Sequence, residues 1–185
     1  LAAFYREHPQ QLVRIVPGVS MHLVDLGDAG EIDMAVVIRP PFSMQSDLRW
    51  TSLAQEPYRL IVPRGMRGDD WAELLASQPF IRYDRHSFGG RQVDHFLRRL
   101  HLSVREICEV DELDAIVKLV AQRAGVALVP QTSAYRRWPA GVRAIDLGAQ
   151  TFHRDIGVVH RQDATLSAVQ QELVAFIVAT AGKAL

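Results

Sequence analysis

A polar segment with two adjacent glycines lies between a predicted strand and a predicted helix near the middle of the chain. The strand covers residues 80–83, and the segment after it contains Ser87, Gly89 and Gly90. Four apolar residues then recur at i, i+3, i+4 and i+7, which predicts a helix with one apolar face: Val93, Phe96, Leu97 and Leu100. The first N–H groups of a helix have no acceptor within it, so with the Ser87 hydroxyl they would bind an anion or a carbonyl oxygen.

An arginine after another predicted strand offers a second kind of anion chemistry. Residues 32–38 are almost entirely apolar, which predicts a strand covered on both faces of a parallel sheet, and Arg39 follows it directly. Loops that follow such strands commonly bind ligands. The Arg39 guanidinium could hold a carboxylate by two hydrogen bonds, or it could point outward as a solvated charge, and the sequence leaves both open.

The motifs of metal centres and of common catalytic sites are absent from the sequence. It contains no HExxH, CxxC, GxSxG, GxGxxG or Walker loop, and no His pair at i and i+4 with a third ligand nearby. Asp111, Glu112 and Asp114 form an acidic cluster, but they stand at a predicted helix start, where carboxylates favour the helix dipole. We therefore predict no metal site, no catalytic site and no cofactor.

The composition is that of an ordinary globular protein. The 185 residues are 48% hydrophobic and 23% charged, enough for one sizeable core or two small lobes, and the net charge is zero. Without a run of like charges, this chain is not expected to contact nucleic acid or a membrane surface. It has no long apolar run and no visible secretory signal, so a cytoplasmic location is expected. The single cysteine, Cys108, is expected to be a packed, inert thiol.

Strands and helices alternate along the chain, which predicts an α/β fold. Further predicted strands cover residues 12–16, 48–53, 58–62, 126–129, 142–147 and 156–159. Five further helices are predicted: an amphipathic helix that is broken off at Pro9, residues 21–26, residues 71–75, residues 112–123 and a last helix near the end of the chain. Their predicted N-caps are Ser20 for residues 21–26, Asp111 for residues 112–123 and Thr165 for the last helix. The same three helices are predicted to end at Gly27 and Gly30, at Gly125 and at Gly182. No internal repeat interrupts this order.

Five segments resemble the effector-binding domain of LysR-type transcriptional regulators. They are, in order, AGEIDMAVVIRPP, QEPYRLIVP, PFIRYDRHSFGGRQVDHFLRRLHL, EVDELDAIVKLVAQRAGVALVP and IGVVHRQDATLSAVQQEL. Each segment alone is a loose match. Their order and spacing, however, cover the chain almost from end to end.

The resemblance implies an α/β fold like that of type 2 periplasmic binding proteins, with two Rossmann-like lobes joined by two crossing strands and a ligand cleft between the lobes. Lobe I would comprise residues 1–62 plus 154–185, and lobe II residues 63–153. The family's first strand and its N-terminal winged helix-turn-helix domain have no counterpart in this chain. The resemblance also implies a homodimer through the first helix, near Phe4, and the lobe II helix at residues 113–123, and a tetramer on promoter DNA in the full-length protein.

The family's ligand loops correspond to ten residues of this chain. By resemblance, the effector-binding residues would be Pro17, Gly18, Ser20 and Arg39 in lobe I, and Tyr83, Ser87, Phe88, Gly89, Gln131 and Thr132 in lobe II. Simpler explanations exist for some of them, since Ser20 could only cap a helix and Ser87 could belong to an ordinary capped turn. Arg85 and His86 could line the cleft or lie on the surface. An arginine and a helix amino terminus favour a small carboxylate or a polar aromatic effector.

Two other functions are compatible with the implied fold. A periplasmic solute-binding protein would need a signal peptide before this segment and no DNA-binding domain. An enzyme such as a dehydratase of prephenate type would need a catalytic Ser or Thr with an acid or base beside it, and the sequence offers no convincing pair. We therefore expect a sensor domain rather than an enzyme, in which a small effector shifts the equilibrium between two lobe arrangements.

Overall fold

The computed structural model describes residues 1–44, 46–162 and 166–182. In this part of the chain the helices are α1 (Ala2–Glu7), α2 (Ser20–Ala29), α3 (Trp71–Ser77), α4 (Phe88–Arg99), α5 (Leu113–Ala121) and α6 (Ala168–Gly182). The strands are β1 (Met34–Ile38), β2 (Leu48–Pro63), β3 (Pro79–Tyr83), β4 (Arg105–Val110), β5 (Ala127–Pro130), β6 (Val142–Ile145) and β7 (His153–Arg161). Short 3₁₀ helices cover Ser133–Tyr135 and Gly148–Gln150.

The chain divides into two units. Unit 1 comprises residues 1–55 and 155–185, and unit 2 comprises residues 56–154. Both β2 and β7 run across this division, and β2 joins into one strand the two strands predicted at residues 48–53 and 58–62. The larger sheet has the order β1-β7-β2-β5, with β6 also paired to β2, and β3 and β4 form a separate sheet.

Most of the described strand pairing is antiparallel. β1 pairs with β7, and β2 pairs with β5 and with β6, in each case antiparallel, whereas β3 and β4 are parallel. The prediction that residues 32–38 form a doubly covered strand of a parallel sheet is therefore wrong, since the strand begins at Met34 and Val36 is 51% exposed. An apolar run indicates burial, but it carries no information about the direction of the neighbouring strand.

Two predictions for the start of the chain are also wrong. Residues 12–16 form no strand, and Leu12 and Ile15 are 94% and 73% exposed. No strand in the described residues pairs with this segment, and apolar side chains do not replace the missing hydrogen-bond partner. The helix that follows is longer than predicted, because α2 continues through the buried Gly27 and ends at Gly30.

Unit 1 has a small apolar core between α2 and the sheet. Its buried residues are Leu23, Val24, Ala35, Val37 and Val159. α1 packs against α6 through Phe4, which is 1% exposed and whose ring centroid lies 5.9 Å from that of Phe176.

Thr165, the predicted cap of the last helix, lies outside the described residues. None of the helices in the described part of the chain has the length and apolarity that a membrane crossing needs.

Unit 2 has helices on both faces of its sheet, because alternate residues of β2 point to opposite sides. Tyr58, Leu60 and Val62 pack with buried residues of α3 and α4. Ile61 packs on the other face with buried residues of α5, namely Ile116, Val117 and Val120. The apolar stripe predicted for α4 is confirmed, since Val93, Phe96 and Leu97 are all buried.

The ends of α5 differ from the prediction. The helix begins at Leu113, and its cap residue is Glu112, whose side chain makes no capping hydrogen bond, so Asp111 is not the cap. At the other end the positive φ angle belongs to Arg123, at 63°, and not to Gly125. Both errors arise because an acidic run and a nearby glycine each allow a cap at more than one position.

Gly125 is required by a close approach of two backbones. A Cβ at this position would overlap the carbonyl oxygen of Pro79, at the start of β3. The same oxygen accepts a hydrogen bond from the Val126 N–H at 2.8 Å, so β3 and the chain leading into β5 are held in contact there. Only a residue without a side chain permits this approach.

An ion-pair network links β3, β4 and the turn that follows β3. Arg82 is 5% exposed, and its Nε donates to Glu106 at 3.1 Å, while Asp94 of α4 lies 3.8 Å from Nη1. Arg85 bridges Glu106 at 2.6 Å and Glu109 at 3.0 Å. The guanidinium of a buried arginine is therefore compensated by carboxylates from two elements.

Cys108 lies on β4 and is exposed, so the prediction of a packed thiol is wrong. Of the described strands, only β3 pairs with β4, and residues 105–109 are all exposed. The sequence REICEV contains apolar residues without a clear alternation, so it does not reveal which of them are covered.

Gly125→Ala is expected to destabilise the protein, because the new methyl group displaces either Pro79 or the chain before β5. Overpacking of this kind costs roughly 1–3 kcal/mol. Gly27→Ala is the matched control, since a Cβ there meets nothing within 4 Å and lies inside a helix. It should be neutral or stabilising by up to about 1 kcal/mol. Urea denaturation of both variants measures the two free energies of unfolding, and equal effects would contradict the close-approach argument.

Lowering the pH is expected to weaken unit 2 through its carboxylates. The hydrogen bond from Arg82 lowers the pKa of Glu106, and the backbone N–H of Arg85 lowers the pKa of Glu109. A carboxyl whose folded-state pKa is lowered stabilises the protein above its unfolded pKa of about 4.3, and this stabilisation disappears as the pH falls through the folded pKa. The free energy of unfolding should therefore decrease as the pH falls below about 5.

The contribution of Glu106 can be isolated with an amide. Glu106→Gln should lower stability at neutral pH, because Arg82 then lacks its charged partner, and it should reduce the further loss at acidic pH. Glu7→Gln, at an exposed position of α1, is the control. An acid-induced loss of equal size in both variants would show that Glu106 does not carry the effect.

Candidate functional site

Ser87 begins α4 and holds the turn before it. Its hydroxyl accepts a hydrogen bond from the Gly90 N–H at 2.9 Å and donates one to the Asp84 carbonyl oxygen at 2.7 Å. The Ser87 N–H donates to the same carbonyl oxygen at 3.1 Å. Ser87 is therefore the N-cap, which is the simpler of the two roles open to it from the sequence, and the helix terminus that it organises carries partial positive charge.

The two glycines let this turn pack closely against β2 and β3. A Cβ at Gly90 would overlap the Asp84 carbonyl oxygen, and one at Gly89 would lie 2.6 Å from a ring carbon of Tyr83. The Gly89 carbonyl oxygen accepts a hydrogen bond from the hydroxyl of Tyr58 at 2.9 Å. Burial raises the pKa of Tyr58, so this phenol stays protonated and continues to donate.

The loop after β5 contains two more of the predicted residues. The Gln131 N–H donates to the Pro57 carbonyl oxygen at 2.8 Å, and its side chain accepts from Arg59 Nε at 3.3 Å. Thr132 precedes the 3₁₀ helix, and its carbonyl oxygen accepts from the Tyr135 N–H at 2.9 Å. Gln131 is thus held mainly by structural hydrogen bonds, while the Thr132 hydroxyl makes none that the structure describes.

Consecutive residues of β2 bring these two loops of unit 2 together. Pro57 accepts the hydrogen bond from Gln131, and Tyr58, the next residue, donates to Gly89. Tyr58 is also paired directly with Pro130 of β5. Within this unit, the turn before α4 (the serine loop, residues 84–87) and the loop after β5 (the glutamine loop, residues 131–132) are therefore held by two consecutive residues near the middle of β2. The two loops lie more than 40 residues apart in the chain.

Three predicted site residues lie before β1 in unit 1. Pro17 and Gly18 are exposed in the irregular segment before α2. Ser20 is the first residue of α2 rather than its cap, which is Val19, so the predicted capping role is wrong. Its hydroxyl instead accepts a hydrogen bond from the backbone N–H of Ile38 at 3.1 Å. Ser20 therefore ties the start of α2 to the end of β1.

Arg39 follows β1 and is partly occupied by neighbours in unit 1. Its guanidinium carbon lies 5.7 Å from the centre of the Trp50 ring, and Nη1 lies 3.8 Å from the Asp155 carboxylate. The side chain is 58% exposed, so both contacts are solvated and weak. The guanidinium keeps the freedom to bind another carboxylate.

The remaining predicted residues of unit 2 are buried or turned to other partners. Tyr83 and Phe88 are 6% and 5% exposed, so they support the serine loop more than they present a surface. Arg85 is held by Glu106 and Glu109, which leaves its guanidinium engaged away from the start of α4.

Sequence reasoning missed Tyr58 and Asp84, both of which fix the serine loop. Asp84 could have been found from its place three residues before Ser87, but Tyr58 has no local signal.

The sequence matches the family model described as the LysR substrate binding domain, over residues 1–182. No match was found among curated proteins.

Solved structures with the same fold include domains of LysR-type regulators. The effector binding domain of QuiR in complex with shikimate aligns with a TM-score of 0.81 and 16% identity, over 98% of this chain and 88% of that chain. The regulatory domain of CcmR from Synechocystis PCC6803, in complex with 2-PG, aligns with a TM-score of 0.83 and 18% identity, over 97% and 88%.

A longer relative extends the comparison. HinK, a LysR family transcriptional regulator from Pseudomonas aeruginosa, aligns with a TM-score of 0.79 and 19% identity, over all of this chain and 65% of that chain. Identities this low show a common fold and carry no information about ligands. The chain therefore belongs to the LysR substrate binding domain family, the effector-binding domains of LysR-type transcriptional regulators, and it has their type 2 periplasmic-binding-protein-like fold.

Proposed function

We propose that the amino terminus of α4, with its cap Ser87, is the anion-binding element through which this domain recognises a small effector. The observation that supports this most strongly is the closely held turn before α4, in which two glycines and the Tyr58 hydrogen bond fix the helix terminus. A fixed set of N–H groups at a helix start binds an anionic oxygen without reorganising. The other predicted effector residues, including Arg39 and Thr132, stay part of this proposal.

The effector proposed is a small carboxylate, or a polar aromatic molecule that carries one. A helix terminus favours a single anionic oxygen, and the exposed guanidinium of Arg39 favours a carboxylate. The bound ligands named for QuiR and CcmR are shikimate and 2-PG. Both are small anionic molecules, as the proposed effector is, but at identities of 16% and 18% they do not identify the effector of this chain.

Effector binding is proposed to regulate transcription through a DNA-binding domain that this chain does not include. An effector transmits a signal only if it binds two arrangements of the protein with unequal affinity. We propose that the two arrangements differ in the positions of lobe I, residues 1–62 plus 154–185, and lobe II, residues 63–153. The whole protein is proposed to act in the cytoplasm. The family consists of regulator domains, and we propose that this domain likewise binds its effector without transforming it.

A screen of small carboxylates and aromatic acids against the intact protein tests the effector proposal. A ligand that binds only the folded state raises stability, by about 2.7 kcal/mol at one hundred times its Kd. We expect Ser87→Asp to abolish the effect of a true effector, because aspartate keeps the cap but places a negative charge where the anion would bind. Thermal unfolding with and without the compound measures the change.

Asp70→Ser is the matched control for this experiment. Asp70 caps α3 through hydrogen bonds from Ala72 and Glu73, so exchanging it alters a cap of the same kind at another helix. The control should keep the full stabilisation by the effector. If a compound stabilises Ser87→Asp as strongly as the native protein, the amino terminus of α4 is not its site.

We also propose a homodimer that uses α1 and α5. Phe4 is 1% exposed and belongs to the fold of unit 1, so the apolar surface of α1 available to a partner is Tyr5, which is 37% exposed, and Leu1, at 48%. On α5, Leu113 and Leu119 are half-buried and so retain some exposed surface. Exposed apolar side chains of this kind commonly become buried between subunits.

Tyr5→Glu is expected to weaken the dimer, because it introduces a charge into the proposed interface. A loss of at least about fivefold in dimer affinity is expected if Tyr5 lies near the centre of the interface. Sedimentation equilibrium of the intact protein measures the dissociation constant. Met21→Glu, at a residue of α2 that is 41% exposed, is the control and should leave it unchanged. Equal weakening in both variants, or none in Tyr5→Glu, would contradict the interface.

A further inference from the structure

Three potential metal ligands meet at the carboxyl ends of β3 and β4. Asp84 and His86 lie in the turn after β3, and Glu109 lies on β4. One ligand atom from each of the three side chains lies within 4.8 Å of the others. Asp84 is half-buried and the other two are exposed. Among residues 1–44, 46–162 and 166–182 no other group of three such side chains meets this closely.

The spacing of these atoms is close to that of a coordination sphere. With metal–ligand bonds of about 2.0–2.2 Å, neighbouring ligand atoms lie about 3.0–3.5 Å apart. Rotation of the exposed His86 side chain can close part of the remaining distance, whereas Glu109, also exposed, is held by Arg85. A three-residue site of this kind leaves further positions for water.

The backbone of the site is already fixed. The His86 N–H donates to Asp84 Oδ1 at 2.9 Å, and the Asp84 N–H donates to the Val110 carbonyl oxygen at 2.9 Å. These bonds leave the second carboxylate oxygen of Asp84 without a described partner, and the His86 ring likewise has none in the described part of the chain. Little backbone entropy would therefore be lost when a metal ion binds, and the main entropic cost would be ordering of the exposed His86 side chain.

Arg85 is the internal competitor for this site. Its backbone N–H and its Nε donate to the two oxygens of Glu109, at 2.9 and 3.0 Å. Its side chain is 43% exposed, so the guanidinium can move away while the backbone hydrogen bond remains. A metal ion would therefore take over the Glu109 oxygen that Arg85 Nε now holds, and Arg85 would reduce the affinity for the ion.

We propose that Asp84, His86 and Glu109 form a binding site for a divalent first-row transition metal ion. One imidazole and two carboxylates suit Zn²⁺, Co²⁺ or Mn²⁺, and the imidazole disfavours Mg²⁺ and Ca²⁺, which prefer oxygen ligands. No sequence motif indicates this site, because Glu109 lies on β4, more than 20 residues after the turn that contains the other two ligands. The evidence for this site does not depend on the proposed effector function, although His86 directly precedes Ser87 in the chain.

Calorimetric titration of the intact, untagged protein with Zn²⁺ tests the site. The native protein should show a binding event that is weakened at least about tenfold in His86→Ala and in Glu109→Gln. Arg85→Gln should bind several-fold more tightly than the native protein, because the competing cation is gone. His95→Ala, which removes an exposed histidine of α4, should bind as the native protein does.

A second measurement avoids substitutions altogether. Substoichiometric Zn²⁺, which is diamagnetic and acts only on its own ligands, should shift the imidazole proton NMR signals of His86 in the native protein and leave those of His95 in place. Equal shifts of both rings would overturn the proposal. So would Zn²⁺ binding that is unchanged in His86→Ala, or Arg85→Gln binding no more tightly than the native protein.

Discussion

The buried hydrogen bond from the Tyr58 hydroxyl to the Gly89 carbonyl oxygen is the constraint on which the arrangement of unit 2 depends. Tyr58 is fully buried, so loss of its partner would leave a polar group unsatisfied at a cost of about 1–3 kcal/mol. The bond fixes the start of α4 against β2, and it requires that residue 89 have no side chain, because a Cβ would press on Tyr83. The position of the helix terminus thus follows from a residue 31 positions away.

The same strand explains why two distant loops converge. In the part of β2 that lies in unit 2, one face packs on α3 and α4 and the other on α5, while its edges pair with β5 and β6. Because Tyr58 is paired with Pro130, the loop after β5 must begin beside the residue that holds Gly89. Strand register, and not any contact between the loops themselves, therefore determines which polar groups become neighbours.

The sequence predicts most helices and strands of unit 2 because its signals are local. The stripe of α4 and the strand before it can be read from neighbouring residues, and the structure confirms them. For Ser87 the neighbouring residues leave both a cap and a ligand contact open, and the structure shows the cap. Three of the errors concern features that depend on distant partners: the direction of pairing of β1, the segment at residues 12–16 and the exposure of Cys108. The others concern the exact position of helix caps, where several neighbouring residues are suitable. The family resemblance gives the fold, but it could not show that Ser20 binds the Ile38 N–H or that Tyr58 supports the serine loop.

Regions of opposite charge lie close together at the turn between β3 and α4. The start of α4 carries the positive end of a helix dipole, whereas Asp84, Glu106 and Glu109 gather negative charge at the end of the β3–β4 pair. Arg85 separates the two by binding the carboxylates, so that they do not repel an anion at the helix terminus. An ion that displaced Arg85 Nε from Glu109 would leave the guanidinium held by Glu106 alone, and the charge distribution near Ser87 would change. Occupation of the proposed cation site would therefore alter the electrostatic field at the proposed anion site through one arginine.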